Sequence, residues 1–213
     1  MKIYILFSGG HAKQCIDIFL ENGVEILGLF DQSYLKGNQN HIHFYRGTKV
    51  IGDIDHLSNF CNGDEEDVYI FCAAGDNTTR KEIVQKYPTS KYKYVNCISK
   101  TAYISEGSKI GIGNYIGIFS EVSSNVSIGD FNILNDKCQV MHDNIIGDFN
   151  HISCNTTLCG YVKIISQCFI GACAVVNNKI TIGQDIVVGS NSTVIKDVNE
   201  SGTYAGTPIR RIK

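Results

Sequence analysis

The sequence predicts two domains of different class: an α/β unit with a small parallel sheet over residues 1–96, then an all-β coil of short parallel strands over 97–213. Three observations carry this reading. Apolar runs alternate with helix-spaced segments in the first part, an aliphatic residue recurs every six positions in the second, and the pattern changes near residue 97. A chain of 213 residues that is 43% hydrophobic can bury one large core or two small ones.

In the first part, KIYILF (2–7) is a continuous apolar run ending in Ser8, Gly9 and Gly10, the pattern of a buried strand entering a glycine loop. AKQCIDIFLEN follows with Cys15, Ile16, Phe19 and Leu20 at helical spacing and Gly23 as a stop signal. VEILGLFD (24–31) is the second strand, 32–48 a polar loop, IDHLSNF a short helix and DVYIFCAAG (67–75) the third strand. TTRKEIVQKY is the last helix, with Asp76 or Asn77 as its cap. Strands alternating with helices make a Rossmann-like parallel sheet, whose ligand crevice lies at the carboxyl ends of the strands.

From Ile98, steps of six reach Ile104, Ile110, Ile116, Val122, Ile128, Leu134, Val140 and onward to Val194, and all 17 positions are aliphatic. Four residues after most of them comes a small residue or Asn, among them Ser120, Asn132, Cys138, Asn144, Asn150 and Cys168. A triangular coil with six residues per side explains both: the aliphatic fills the prism and the small residue lets the chain turn. Eighteen residues make one coil, so the repeat spans about 5.7 coils, roughly 27 Å at the spacing of parallel strands. This is the hexapeptide-repeat left-handed parallel β-helix, its hand being that of the known fold.

Charge and cysteines exclude several classes. A net charge of -2 with dispersed Lys and Arg gives no attraction to nucleic acid. The N-terminus offers only five consecutive apolar residues, Ile3 to Phe7, too few for a signal peptide or membrane span, so a cytoplasmic protein is expected. Nine cysteines, an odd number without a CxxC pair, read as reduced and mostly buried.

Two histidines stand out in KCQVMHDNIIGDFNHIS (137–153). His142 and His151 are nine residues apart, half of an 18-residue coil, so in one chain they face different sides of the prism. Eighteen residues after His142 comes Gly160, which leaves bare backbone beside the imidazole. The pair can share a site only across a subunit boundary, His142 from one chain and His151 from another, in the cleft of a homotrimer.

These segments resemble the two-domain sugar acyltransferases of the PglD/NeuD type. YVNCISKTAYIS is similar to the family's V-N-x-I-H-P-x-A junction, with Ser99 at the histidine position. LNDKCQVMHDNIIGDFNHIS resembles the block holding the catalytic histidine, and YAGTPIRRIK the G-x-P-A-[KR] close beside the coenzyme. The resemblance implies acetyl-CoA as co-substrate, with no metal, and a nucleotide-linked amino sugar as acceptor. It makes His142 the general base and Asp143 the acidic residue that orients it. His151, Gly160, Gly171, Ala172, Gly189, Gly206 and Pro208 would face the coenzyme, and Asn135 the acceptor sugar. In the first domain Gly9, Gly10, His11, Asp31, Gly75, Asn77 and Arg80 would hold the nucleotide. Phe7 stands where the dinucleotide fingerprint has its first glycine, which argues against NAD.

The activity implied is N-acetylation of the 4-amine of a UDP- or dTDP-linked 4-amino-dideoxy sugar, such as a viosamine-type sugar, in glycan biosynthesis. The alternative is O-acetylation of sialic acid or another sugar hydroxyl. A zinc hydratase of the γ carbonic anhydrase type shares the β-helix but needs three histidines, and the repeat has two. A trimeric scaffold without catalysis is the remaining class.

Overall fold

The computed structural model describes residues 1–34, 44–61 and 67–213. Two compact units emerge, Met1–Cys97 and Ile98–Lys213. His41, His43 and most of the expected polar loop lie outside the described residues.

The first unit is built on four parallel strands, β1 (Lys2–Leu6), β2 (Glu25–Phe30), β3 (Val50–Gly52) and β4 (Val68–Cys72), in the order β3-β2-β1-β4. Helix α1 (Gly10–Glu21) buries Ala12, Cys15, Ile16, Ile18 and Phe19, so that Cys15, Ile16 and Phe19 of the expected face are buried and Leu20 is half-buried. Gly23, with φ 73, ends it in the left-handed conformation. Helix α2 (Asn77–Lys86) is capped by Asp76, whose carboxylate accepts the Thr79 N–H at 2.8 Å.

Two elements differ from the sequence reading. β3 was not expected, because three residues are too few to show a period. IDHLSNF folds as a 3-10 helix, Ile54–Asn59, rather than an α-helix; Asp53 accepts from Asp55 N–H, and only Ile54 and Leu57 are buried.

The second unit is a left-handed parallel β-helix. Seventeen short strands, from Cys97–Ile98 to Thr193–Val194, pair in parallel with every third strand and form three sheets. Partners are always 18 residues apart, as in His151 with Ile133 and Phe169. The six-step aliphatics from Ile116 onward are buried in one column, with Ile98, Ile104 and Ile110 half-buried at its start. Two further strands, Gly202–Gly206 and Ile209–Arg211, extend one sheet. Among the described residues no helix is long and apolar enough to cross a membrane.

The corners follow a rule invisible in the aliphatic pattern. From Ile110 to Val188 the third residue after each six-step aliphatic has positive φ, from Gly113 (φ 68) through Phe119, Asn125, Phe131, Lys137 and Asp143 to Asn191. The next residue points inward and ties coils together. Asn132 N–H donates to Asn114 Oδ1 at 2.7 Å, Asn150 N–H to Asn132 Oδ1 at 2.8 Å, and Cys168 N–H to Asn150 Oδ1 at 2.9 Å. Asn132 Nδ2 also donates to the Gly147 carbonyl at 2.8 Å. Asn132→Ala strips these partners from buried backbone groups. We expect it to destabilise the unit by about 2 kcal/mol, read as a lower urea midpoint with an unchanged m-value.

The cysteines are all free. Cys138 and Cys168 occupy the inward small position and are fully buried, donating to carbonyls of the next coil. Burial pushes the Cys168 thiol up to about 11.

Candidate functional site

His142 lies two residues past the strand Gln139–Val140, immediately before the left-handed corner at Asp143. The corner is pinned on both sides: Asp143 N–H donates to the Ser124 carbonyl at 3.0 Å, and Tyr161 N–H to the His142 carbonyl at 3.1 Å. Asn144, fully buried, anchors it from within. The imidazole is therefore carried on rigid backbone with its side chain 53% exposed.

Its Nδ1 lies 2.8 Å from Asp143 Oδ2. A carboxylate accepts, so the proton sits on Nδ1 and the Nε2 lone pair is left open. The Asn125 amide, followed by His142 itself, holds the Asp143 carboxyl below the usual carboxylate range. The ring also lies against Gly160. A Cβ built there would stand 2.6 Å from His142 Cε1 and 2.8 Å from Nε2, so only glycine leaves the ring its place.

His151 sits on the strand His151–Ile152, which belongs to a different sheet from Gln139–Val140. The two histidines thus occupy different sides of one prism, as the half-coil spacing requires. Asn135 lies with His151, its Nδ2 3.5 Å from Nε2, while its Oδ1 accepts the Asp136 N–H at 2.9 Å. That bond fixes which way the amide faces. The His151 ring meets Phe169 edge-on at 5.1 Å.

Several expected coenzyme-facing residues have packing reasons of their own. A Cβ on Gly171 would stand 2.5 Å from the Ser190 backbone N, and one on Gly189 would stand 3.0 Å from Ala205 Cβ. These glycines are demanded by the neighbouring coil, so a ligand is not needed to explain them. Ala172 is half-buried, its carbonyl accepting from Asn191 N–H at 2.8 Å. Gly206 has φ 109, and its N–H donates to Ser192 Oγ at 3.0 Å, two residues before Pro208. A cleft of about 550 Å³ at this end is lined by Lys196 and, from the closing segment YAGTPIRRIK, by Tyr204, Arg210 and Arg211 among others.

In the first unit a cavity of about 410 Å³ opens at the strand ends and is lined by Phe7, Gly9, Gly10, His11, Asp31, Gly75 and neighbours. This is the crevice expected for a parallel sheet. Phe7 itself adopts φ 77, so the turn keeps the left-handed conformation that glycine would normally supply. Asp31 accepts from Ser8 N–H and Oγ on one oxygen and from Ser33 N–H and Oγ on the other. Burial pushes its carboxyl up, but these Ser33 and Ser8 donors outweigh it and hold it below the usual range. The His11 side chain is used locally, against Gln14 at 3.3 Å and the Cys15 thiol at 3.7 Å.

Arg80 corrects the sequence reading. Its side chain is 1% exposed, and the guanidinium turns back to donate to the Ala74 and Gly75 carbonyls and to Asn77 Oδ1. Burial pushes its pKa down to about 10. It therefore shapes the loop after β4 and engages Asn77, rather than reaching a ligand. A helical sequence pattern cannot reveal that a cation points inward.

Comparison with known proteins adds three findings. Residues 2–87 match the PglD N-terminal domain family. The Uncharacterized protein L142 of Acanthamoeba polyphaga mimivirus is 44% identical over 134 residues, 63% of this chain and 25% of that protein. The chain spans less than half the length of the curated relatives it matches. Among solved structures, a histidine-to-asparagine mutant of perosamine N-acetyltransferase from Caulobacter crescentus, in complex with CoA and GDP-perosamine, superposes with a TM-score of 0.90 at 26% identity. It covers 100% of this chain and 97% of its own. The acetyltransferase domain of PglB from Neisseria gonorrhoeae FA1090 shares the fold at a TM-score of 0.89 and 24% identity, over 99% of each chain.

Proposed function

We propose, for a chain that belongs to the PglD/NeuD-type family of sugar acyltransferases, that it transfers acetyl from acetyl-CoA to the amine of a nucleotide-linked amino sugar. The observation that carries this is the His142–Asp143 pair over Gly160: an imidazole whose Nδ1 is engaged and whose Nε2 is open. The neutral amine attacks the thioester carbonyl and forms the N–C bond. His142 Nε2 accepts the proton that the nitrogen sheds. The Gly160 N–H offers a donor to the oxyanion, and collapse expels the CoA thiolate, which leaves with that proton.

The crevice at Gly9, Gly10, His11, Asp31 and Gly75 supports a nucleoside diphosphate carrier, since loop N–H groups at the start of α1 suit a diphosphate. His151 and Asn135 would serve the acetyl donor and the acceptor sugar. The finer expectation is a 4-amino-dideoxy sugar of the viosamine type on UDP or dTDP. We further propose a homotrimer, in which His142 of one chain faces His151 of the next. Exposed apolar residues on the coils, such as Phe119 (64%) and Tyr161 (53%), favour assembly.

The test is thiol release from acetyl-CoA with UDP-, dTDP- and GDP-linked 4-amino sugars and with sialic acid as a hydroxyl acceptor. Turnover with a nucleotide-linked amine and none with sialic acid is expected. Turnover confined to hydroxyl acceptors would replace the N-transferase reading with the O-transferase one, and none with either class would remove both. Light scattering that gives a catalytically active monomer would refute the shared cleft.

A further inference from the structure

His142 and Asp143 are consecutive residues on one exposed corner, so the pair needs an anchor from outside it. The anchor for the carboxylate comes from the preceding coil. Eighteen residues earlier, Asn125 holds the equivalent corner with φ 59, and its Nδ2 donates to Asp143 Oδ1 at 2.7 Å. The other oxygen, Oδ2, takes the His142 Nδ1 proton at 2.8 Å. Eighteen residues later, Tyr161 holds the next corner with φ 61, its ring meeting the imidazole edge-on at 5.4 Å. A carboxylate with one methylene swivels freely unless both oxygens are engaged. Asn125 engages the oxygen that the imidazole does not.

An asparagine at a left-handed corner has a simpler explanation, since Asn tolerates positive φ. Asn155 and Asn191 occupy the same position in later coils with φ 56. Asn125 differs from Asn155 in what stands one coil above it: Asp143 over Asn125, Cys173 over Asn155. The backbone preference is common to both corners, and the carboxylate belongs to one.

We propose that Asn125 is a positioning residue, which clamps the Asp143 carboxylate and through it orients His142 with Nε2 outward. This rests on the reading of His142 as the base. Among the described residues, the titratable groups facing the imidazole are Asp143 on its own corner and Tyr161 on the next.

Asn125→Gly keeps the corner conformation and removes the amide. It should lower kcat about tenfold while both KM values stay within about twofold. Asn155→Gly, the same change at a corner without a carboxylate above it, should leave kcat unaltered. Asn125→Asp replaces the donor with a second carboxylate beside the first, which favours the imidazolium. The His142 titration followed by NMR should move up by about 0.5 unit, and the acid limb of kcat should move to higher pH with it. Wild-type kcat in Asn125→Gly, or equal losses in Asn125→Gly and Asn155→Gly, would overturn the proposal. The NMR titration needs no turnover. An unchanged His142 titration in Asn125→Asp therefore removes the clamp alone, whereas full turnover in His142→Ala removes the base reading.

Discussion

His142→Ala should lower kcat by about 10²–10⁴-fold, the range that a positioned general base contributes, while acetyl-CoA binding measured by calorimetry stays close to wild type. The expectation follows from two features of the site. The imidazole is half-exposed and holds no coil together, so its removal leaves the prism intact. Its Nε2 is the open nitrogen, because Asp143 accepts the Nδ1 proton. The loss should be greatest below the pKa of the acceptor amine, where a proton must be removed before or during attack. Turnover of the alanine variant within about threefold of wild type would refute the base assignment at the level of a kinetic effect.

Gly160→Ala should come second, with kcat lower by about 100-fold. The glycine lacks a left-handed φ, so alanine is tolerated by the backbone there. Its methyl, however, would stand 2.6 Å from His142 Cε1, well inside contact distance, and the ring must swing away. Swinging breaks the 2.8 Å bond to Asp143 and re-aims Nε2. The thermal midpoint should change little, which separates a displaced base from a damaged fold. Unaltered kcat with a crystal structure showing the ring in place would refute the account.

The six-residue period was legible because a prism interior accepts only one kind of side chain, and the buried column from Ile116 to Val194 is that record. The left-handed corners were not legible, because they are occupied by Phe, Asn, Lys, Asp, Tyr, Gln and Cys alike. A constraint on backbone angle leaves no mark when the inward anchors on the next residue impose it. In the first unit β3 escaped because three residues cannot show alternation. Arg80 escaped because its neighbours in sequence say nothing of which way it turns.

For the candidate site, the consecutive His142 and Asp143 and the glycine 18 residues on could be read in advance. Asn125 escaped although counting one coil back from Asp143 reaches it, because an asparagine in sequence shows only that it tolerates a left-handed corner, not that its amide meets a carboxylate. The packing role of Gly171 was hidden because a residue pattern does not show how closely the Ser190 backbone, a coil away, approaches it.

The 18-residue pairing also governs how such a chain can change length. Removing or adding a few residues in the coil would rotate every later side chain by a fraction of a turn, carrying aliphatics out to solvent and corners into the interior. Multiples of six keep the aliphatic column intact, but only multiples of 18 also return every later side chain to its own face of the prism. A related chain that keeps its site residues in register should therefore differ from this one by whole coils between the site elements, or by excursions that leave a corner and return to it.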